Sequence, residues 1–334
     1  MQLEIIRQNA GVDISKDDFE VALSCLTTDY NVVICATRKF SNSIKGFKEL
    51  QKWVKTKQNP AIPPHFTMEA TGVYYESLAY FLFEQEFEVH VVLPNRAKKY
   101  GESLGVKSKT DKLDAKTLAQ MGLERKLLLW QPVSSALLEL KQLTRERDAF
   151  VRTRTTTANR LHAYRHQGKP NKVSIERSKS IICYLDKQIK QIEKEIKAFV
   201  NNDKSLKTKM EYLLSIPGVG LITAATIVAE TNGFAAFESI KQLTSYAGLD
   251  VRIAESGKWK GKSRISKRGN SHIRKALFMP SLSKKKHDPA TALFYERLKD
   301  KKGIKMVAVV AVERKLLGLM FSLWKKEEMY KKVS

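Results

Sequence analysis

The sequence predicts an α/β domain followed by a mainly helical remainder. Short β-branched runs alternate with helical patterns as far as about residue 128. Long charged stretches almost free of Gly and Pro then run from 134 to 203, and the last third is helical at both ends around a Gly-, Ser- and Lys-rich middle. These changes of texture divide the chain at 1–130, 131–208 and 209–334.

In the first segment the strands expected are VDIS, FEVALSCL, VVICATRKF, HFTMEA and FEVHVVLP, with helices over Ile44–Lys57 and after Val73. Three early strands followed by strand-helix alternation give a mixed sheet with helices packed on it. Pro60, Pro63 and Pro64 lie in a loop between helix and strand. In the second segment Ile182, Leu185, Ile189, Ile192, Ile196 and Phe199 are spaced 3, 4, 3, 4 and 3, the seam of a coiled coil. This suits an antiparallel hairpin or a dimerisation arm, and equally an amphipathic helix on a globular body; Gly168 and Pro170 turn the chain between two helices. In the third, Leu213 to Glu230 places Pro217-Gly218-Val219-Gly220 between helical stretches, as in a helix-hairpin-helix, where the amides of Val219 and Gly220 can face a phosphate. A purely structural tight turn explains the same residues. A helix over about Lys305 to Lys325, broken by Glu313-Arg314-Lys315, reads as core-packing.

Sixty Lys and Arg against 35 Asp and Glu leave +25 over 334 residues, so a polyanion is the expected partner: DNA, RNA or an anionic membrane. The apolar run from Leu213 to Ala229 is interrupted by Pro217, Gly218 and Gly220 and does not suit a membrane span, and no export signal opens the chain. A cytoplasmic, nucleoid-associated protein with no membrane partner is expected. Cys25, Cys35 and Cys183 lack CxxC spacing and read as reduced packing thiols. His162 and His166 have i,i+4 spacing without a third ligand nearby and read as surface residues of a basic helix.

Four acids stand out by position. Asp13 lies inside the first apolar strand, Glu69 ends another, and Asp111 and Asp114 project from one face at the start of a helical segment. An acid in a buried strand costs several kcal/mol unless it is paired or binds a cation. Gathered together, four carboxylates suit Mg²⁺, with Mn²⁺ as the alternative, and two such ions roughly 4 Å apart stabilise the attacking and leaving oxygens at a phosphate. Singly, each acid has an ordinary explanation: Asp111 in a capping box begun by Ser108, Asp114 at the positive end of a helix, Asp13 opening a turn. The combination is the more specific signal.

Gly11-Val12-Asp13-Ile14-Ser15-Lys16, Glu69-Ala70-Thr71-Gly72 and Lys109-Thr110-Asp111-Lys112-Leu113-Asp114-Ala115 resemble, in order and spacing, the DEDD motifs of the insertion-sequence 110 transposases. Ile216-Pro217-Gly218-Val219-Gly220, Ala247-Gly248-Leu249, Glu255-Ser256-Gly257 and Arg264-Ile265-Ser266-Lys267-Arg268-Gly269-Asn270 resemble that family's C-terminal domain. Val251 departs from the family's usual Pro two residues after Gly-Leu. The resemblance implies a RuvC-like, ribonuclease-H-type first domain in which Asp13, Glu69, Asp111 and Asp114 bind Mg²⁺, a coiled-coil linker, and a C-terminal domain in which Ser256 attacks DNA. It further implies donor and target DNA, a guide RNA encoded by the element, and a homo-oligomer, dimer or tetramer.

A serine hydroxyl needs a base, a metal or a cationic setting to act as a nucleophile. From Val251 to Ala290 twelve Lys or Arg face only Glu255 and Asp288, with Trp259 interleaved. Gly257, Gly261 and Gly269 would let the backbone approach a phosphate. The nucleic-acid-binding set expected from these features is Lys109, Gly218, Val219, Gly220, Arg252, Lys258, Lys260, Lys262, Arg264, Lys267 and Arg268. Competing readings are a RuvC-like structure-specific endonuclease that uses water, and a non-catalytic nucleic-acid-binding scaffold.

Overall fold

The structure is a computed structural model that describes residues 4–105, 110–252, 255–256, 259–261 and 264–331. It divides into two compact units, Met1–Pro132 and Val133–Ser334.

The first unit is built on a five-stranded mixed sheet of order β3-β2-β1-β4-β5. Strands β1 (Ile5–Ile14), β2 (Asp18–Thr27) and β3 (Val32–Ser41) form an antiparallel meander, and β4 (His65–Glu69) and β5 (Val89–Val92) add in parallel. β1 begins at Ile5, seven residues before the Val12 that opens the expected run VDIS. Its central position buries both faces and removes the alternation that would have revealed the extra length.

The two faces of β1 pack differently. Ala10, Val12 and Ile14 join Phe19, Val21 and Leu23 against Phe47, Leu50 and Val54 of α1 (Ile44–Lys57) and Leu78 and Leu82 of α2 (Glu76–Glu84). Asn9 and Gly11 face the other way, onto α4 (Asp111–Glu124). A Cβ on Gly11 would lie 2.1 Å from the Ala115 carbonyl oxygen and 2.1 Å from the Ala119 nitrogen, so helix and strand meet backbone to backbone. Gly122 repeats the arrangement one turn on, over the side chains of Asn9 and Thr67. Asn9 Nδ2 donates to the Ala119 carbonyl at 2.9 Å and fixes the crossing. A further helix, α3 (Pro94–Ser103), was not anticipated from the sequence; it begins at Pro94, whose fixed φ suits the first helical position.

The second unit opens with two 31-residue helices, α5 (Ser135–Arg165) and α6 (Lys172–Asn202). Arg147 pairs with Glu193 at 2.7 Å and Arg154 with Asp186 at 2.8 Å, a register in which the helices run antiparallel. Of the expected seam Leu185, Ile192 and Ile196 are buried, joined by Val200. Leu140, Ile192, Ile196 and Val200 enter the same core as α7 (Lys204–Leu214), α8 (Leu221–Glu230) and α12 (Lys305–Lys326). Among these, α9 (Ile240–Tyr246), α10 (Ser271–His287) and α11 (Pro289–Lys302) complete the unit. Among the described residues no helix is long and apolar enough to cross a membrane. The three cysteines are free; Cys25 is buried as expected for packing, whereas Cys35 and Cys183 are exposed.

Because Gly11 admits no side chain against α4, Gly11→Ala is expected to lower stability by about 2 kcal/mol or more through overpacking. Urea denaturation checks this; an unchanged midpoint would mean that α4 does not bear on β1.

Candidate active site and nucleic-acid interface

Asp13 stands near the C-terminal end of β1, two residues beyond Gly11 and therefore on the α4 face. It is held within the β1-β2 ladder opposite Glu20, so the alternative in which it opens a turn does not hold. Glu69 is the last residue of β4 and lies two beyond Thr67, which also faces α4. The parallel register pairs Val12 with Met68, so Asp13 and Glu69 follow at the same level on neighbouring strands. Along α4, Gly122 lies over Asn9 and Ala115 and Ala119 over Gly11, so the helix runs antiparallel to β1 and carries its N-terminus toward the Asp13 end. Asp111 is its first residue and Asp114 its fourth. The N-cap is Thr110, whose hydroxyl accepts from the Leu113 amide at 3.2 Å; Ser108, the alternative start of a capping box, lies outside the described residues.

Two further residues belong to this face. Glu20 pairs across β2 with both Asp13 and Lys39, and its Oε2 is buried with no hydrogen-bond partner among the described residues. Lys39 Nζ sits 2.7 Å from Asp18 Oδ2. Its pKa is held above the usual lysine value, first by that hydrogen bond and also by the negative charges of Asp18, Glu20 and Asp111. Glu20 escaped sequence reading because only the strand register shows that it stands beside Asp13.

In the second unit, Glu255–Ser256 pairs with Trp259–Lys260, and outside that ladder Val251–Arg252 pairs with Arg264–Ile265. These short strands, β6 to β9 in chain order, form two separate two-stranded ladders, together termed the ribbon, with Ser256 in the one that lies inner in sequence. Ser256, Arg252, Arg264, Lys267 and Arg268 are exposed. Lys109, Lys258 and Lys262 lie outside the described residues, as does the side chain of Lys260.

Glycine serves packing ends here as well. A Cβ on Gly269 would lie 2.3 Å from the Tyr246 carbonyl oxygen, so packing at the ribbon's base requires this glycine. In the turn between α7 and α8, Val219 is buried and its N–H donates to the Ile216 carbonyl at 3.1 Å. That amide is therefore committed within the turn, and Gly220 is left at the N-cap of α8. Gly218 adopts φ +88, a left-handed conformation natural to glycine. His162 and His166 stack with ring centroids 4.2 Å apart on α5.

What anchors the ribbon is a buried acid that sequence reading missed. The Glu230 side chain, at the end of α8, receives Arg145 Nε at 2.6 Å and Nη2 at 2.9 Å, and Asn270 Nδ2 at 2.7 Å. The Tyr246 hydroxyl donates to the Glu230 carbonyl at 3.1 Å. Burial opposes ionisation of Glu230, but the hydrogen bonds from Arg145 and Asn270 outweigh it and lower its pKa. Asn270 also caps α10, accepting from the His272 and Ile273 amides, so one network links α5, α8 and the strand-to-helix junction after the ribbon. On α12, burial pushes the Glu313 carboxyl up to about 7 against the opposing charge of Arg274.

Comparison with known proteins decides what these two units are. Residues 10–168 match a transposase family with DEDD acids of the insertion-sequence 110 kind, and residues 210–296 match the family described as "Transposase IS116/IS110/IS902 family". The chain is 30% identical over 324 residues to the pilin gene-inverting protein of Moraxella bovis, covering 96% of this chain and 97% of that one. The chain belongs to the insertion-sequence 110 transposase family. The transposase for insertion sequence element IS1328 of Yersinia enterocolitica is 24% identical over 294 residues, with 80% of each chain covered. The IS110-family chain is accordingly a DNA-recombining enzyme, with DNA as its substrate. The first family match spans the sheet and its acids, and the second spans the ribbon with Ser256.

Glu230→Ala removes the buried acceptor that Arg145 and Asn270 share, so it is expected to destabilise the transposase by about 2 kcal/mol near neutral pH. A carboxylate with a depressed folded pKa stabilises above its unfolded pKa and loses that contribution as pH falls through the folded value. The gap between wild type and variant should therefore narrow in acid. Denaturation at several pH values checks this, and a gap that widens in acid would contradict the assignment.

Proposed function

We propose that the enzyme cleaves and rejoins the DNA strands of a mobile element, with Ser256 as nucleophile and Asp13, Glu69, Asp111 and Asp114 holding Mg²⁺, or Mn²⁺, in a RuvC-like first unit. The observation that carries this reading is the level placement of Asp13 and Glu69 on adjacent parallel strands, beneath the end of α4 that bears Asp111 and Asp114. All four donors are carboxylate oxygens, the set that suits a hard divalent cation. The orphaned Glu20 Oε2 beside Asp13 fits a positive charge in the same place. Bound cations would stabilise charge on the attacking and leaving oxygens at the phosphate.

The Ser256 hydroxyl forms a bond to a DNA phosphorus while the bond from phosphorus to one deoxyribose oxygen breaks. That oxygen takes up a proton, and the strand end stays attached through Ser256. A free hydroxyl of a second strand then attacks the same phosphorus, restores a phosphodiester and frees the serine. Exposure of Ser256 on a ribbon flanked by Arg252 and Arg264 supports contact with a phosphate. Lys267 and Arg268, exposed beyond β9, add charge to that segment, the Gly218-Gly220 turn offers a second contact to phosphate, and a guide RNA encoded by the element would supply sequence choice. The α5-α6 pair serves as the arm of a homo-oligomer, a dimer or tetramer, in which one subunit's ribbon reaches a partner's acids. Inversion of a DNA segment, named for the Moraxella relative, is a reaction of the same cut-and-rejoin class.

Ser256→Ala is expected to keep nucleic-acid binding and to lose the protein-DNA covalent adduct. Denaturing gels of trapped reactions read it, and an undiminished adduct would remove Ser256 from the mechanism. Mixing Asp13→Asn with Ser256→Ala subunits should restore activity where neither acts alone; two assembled but inactive partners at every ratio would contradict the shared site.

A further inference from the structure

At the opposite end of the sheet from Asp13 and Glu69 stands a different donor set. His65 opens β4, Glu88 immediately precedes β5, and His90 is the second residue of β5. The parallel register that pairs Phe66 with Val89 sets His65 level with Glu88. Among the described residues this is the one group of three His, Cys, Asp or Glu whose ligand atoms all lie within 4.8 Å of one another. His65 Nδ1 is 3.4 Å from His90 Nε2 and 3.0 Å from Glu88 Oε2.

We propose that His65, Glu88 and His90 form a transition-metal site, with Zn²⁺ as the fitting ion, that clips β4 to β5 at the end of the sheet remote from the DEDD acids. Ligand atoms about 2.0–2.1 Å from a tetrahedral zinc ion lie roughly 3.3 Å apart, which the two short separations approach without rearrangement. Two imidazoles and one carboxylate favour zinc over magnesium, which prefers oxygen. The second ring nitrogen of His90 is already engaged: Nδ1 lies 3.0 Å from the Leu128 carbonyl. A carbonyl only accepts, so Nδ1 carries the proton and Nε2 keeps its lone pair toward His65 and Glu88. Such an outer partner is what orients a metal-binding histidine. His90 is 7% exposed, so its ring is locked, while the exposed His65 and Glu88 side chains leave the fourth coordination position open to water. The nearby cation Arg7, whose charge acts on His65, is directed to the Leu123 carbonyl at 3.3 Å.

Zinc titrated into the full-length, metal-stripped chain should bind at one ion per chain and raise the melting temperature, and a tenfold excess of Mg²⁺ should leave this binding in place. His65→Ala and Glu88→Gln alter exposed side chains and should each weaken binding by roughly tenfold or more. Co²⁺ in place of zinc should give the visible spectrum of a low-coordinate nitrogen and oxygen site in the wild type and not in His65→Ala. Absence of zinc binding at micromolar concentrations would overturn the proposal. So would equal binding by wild type and both variants, which would assign the ion to the cysteines or to His162 and His166.

Discussion

The close approach of α4 to β1 at Gly11 is the constraint on which the first unit depends. With no side chain at position 11, the Ala115 carbonyl and the Ala119 amide lie directly on the strand, and Gly122 does the same over Asn9 and Thr67. Two acids are presented by strand ends and two by a helix start, and only a helix seated this closely and in this direction brings the two pairs to one end of the sheet. The opposite face needs no such contact, because large side chains from α1 and α2 fill it. One face therefore supplies the core, and the other is reserved for backbone contact and charge.

Much of this was legible in the sequence. The bounds of α1 and the strand runs follow from periodicity, and Asp13, Glu69, Asp111 and Asp114 were noticeable as acids at strand and helix ends. The resemblance of the motif blocks predicted the family to which the chain belongs. What was not legible depends on contacts between residues far apart in the chain. Glu20 is an unremarkable strand acid until its register places it between Asp13 and Lys39. Glu230 ends an apolar helix with nothing nearby in sequence to mark the partners Arg145 and Asn270, 85 and 40 residues away. His65, Glu88 and His90 are similarly united only by parallel pairing.

Glycine was the residue whose role shifted most between sequence and structure. Gly269 was read from sequence for its freedom to approach a phosphate, and its lack of a side chain also admits the backbone of Tyr246. Gly11 and Gly122 looked ordinary and prove to be the positions where strand and helix touch. A glycine's sequence neighbourhood does not say which backbone will come close to it. The ribbon bearing Ser256 has distant support as well, since Tyr246 before it and Asn270 after it both bond Glu230 while backbone pairing closes its base.

The proposed cation site draws four acids from three elements onto one set of cations. It is tested most directly by Mn²⁺ titration of the full chain, following the free-ion electron paramagnetic resonance signal. Asp13→Asn, Glu69→Gln, Asp111→Asn and Asp114→Asn should each weaken the same binding event while the chain stays folded. If any one of the four folded variants binds Mn²⁺ as the wild type does, that acid is not part of the cation site and the account fails at its first step.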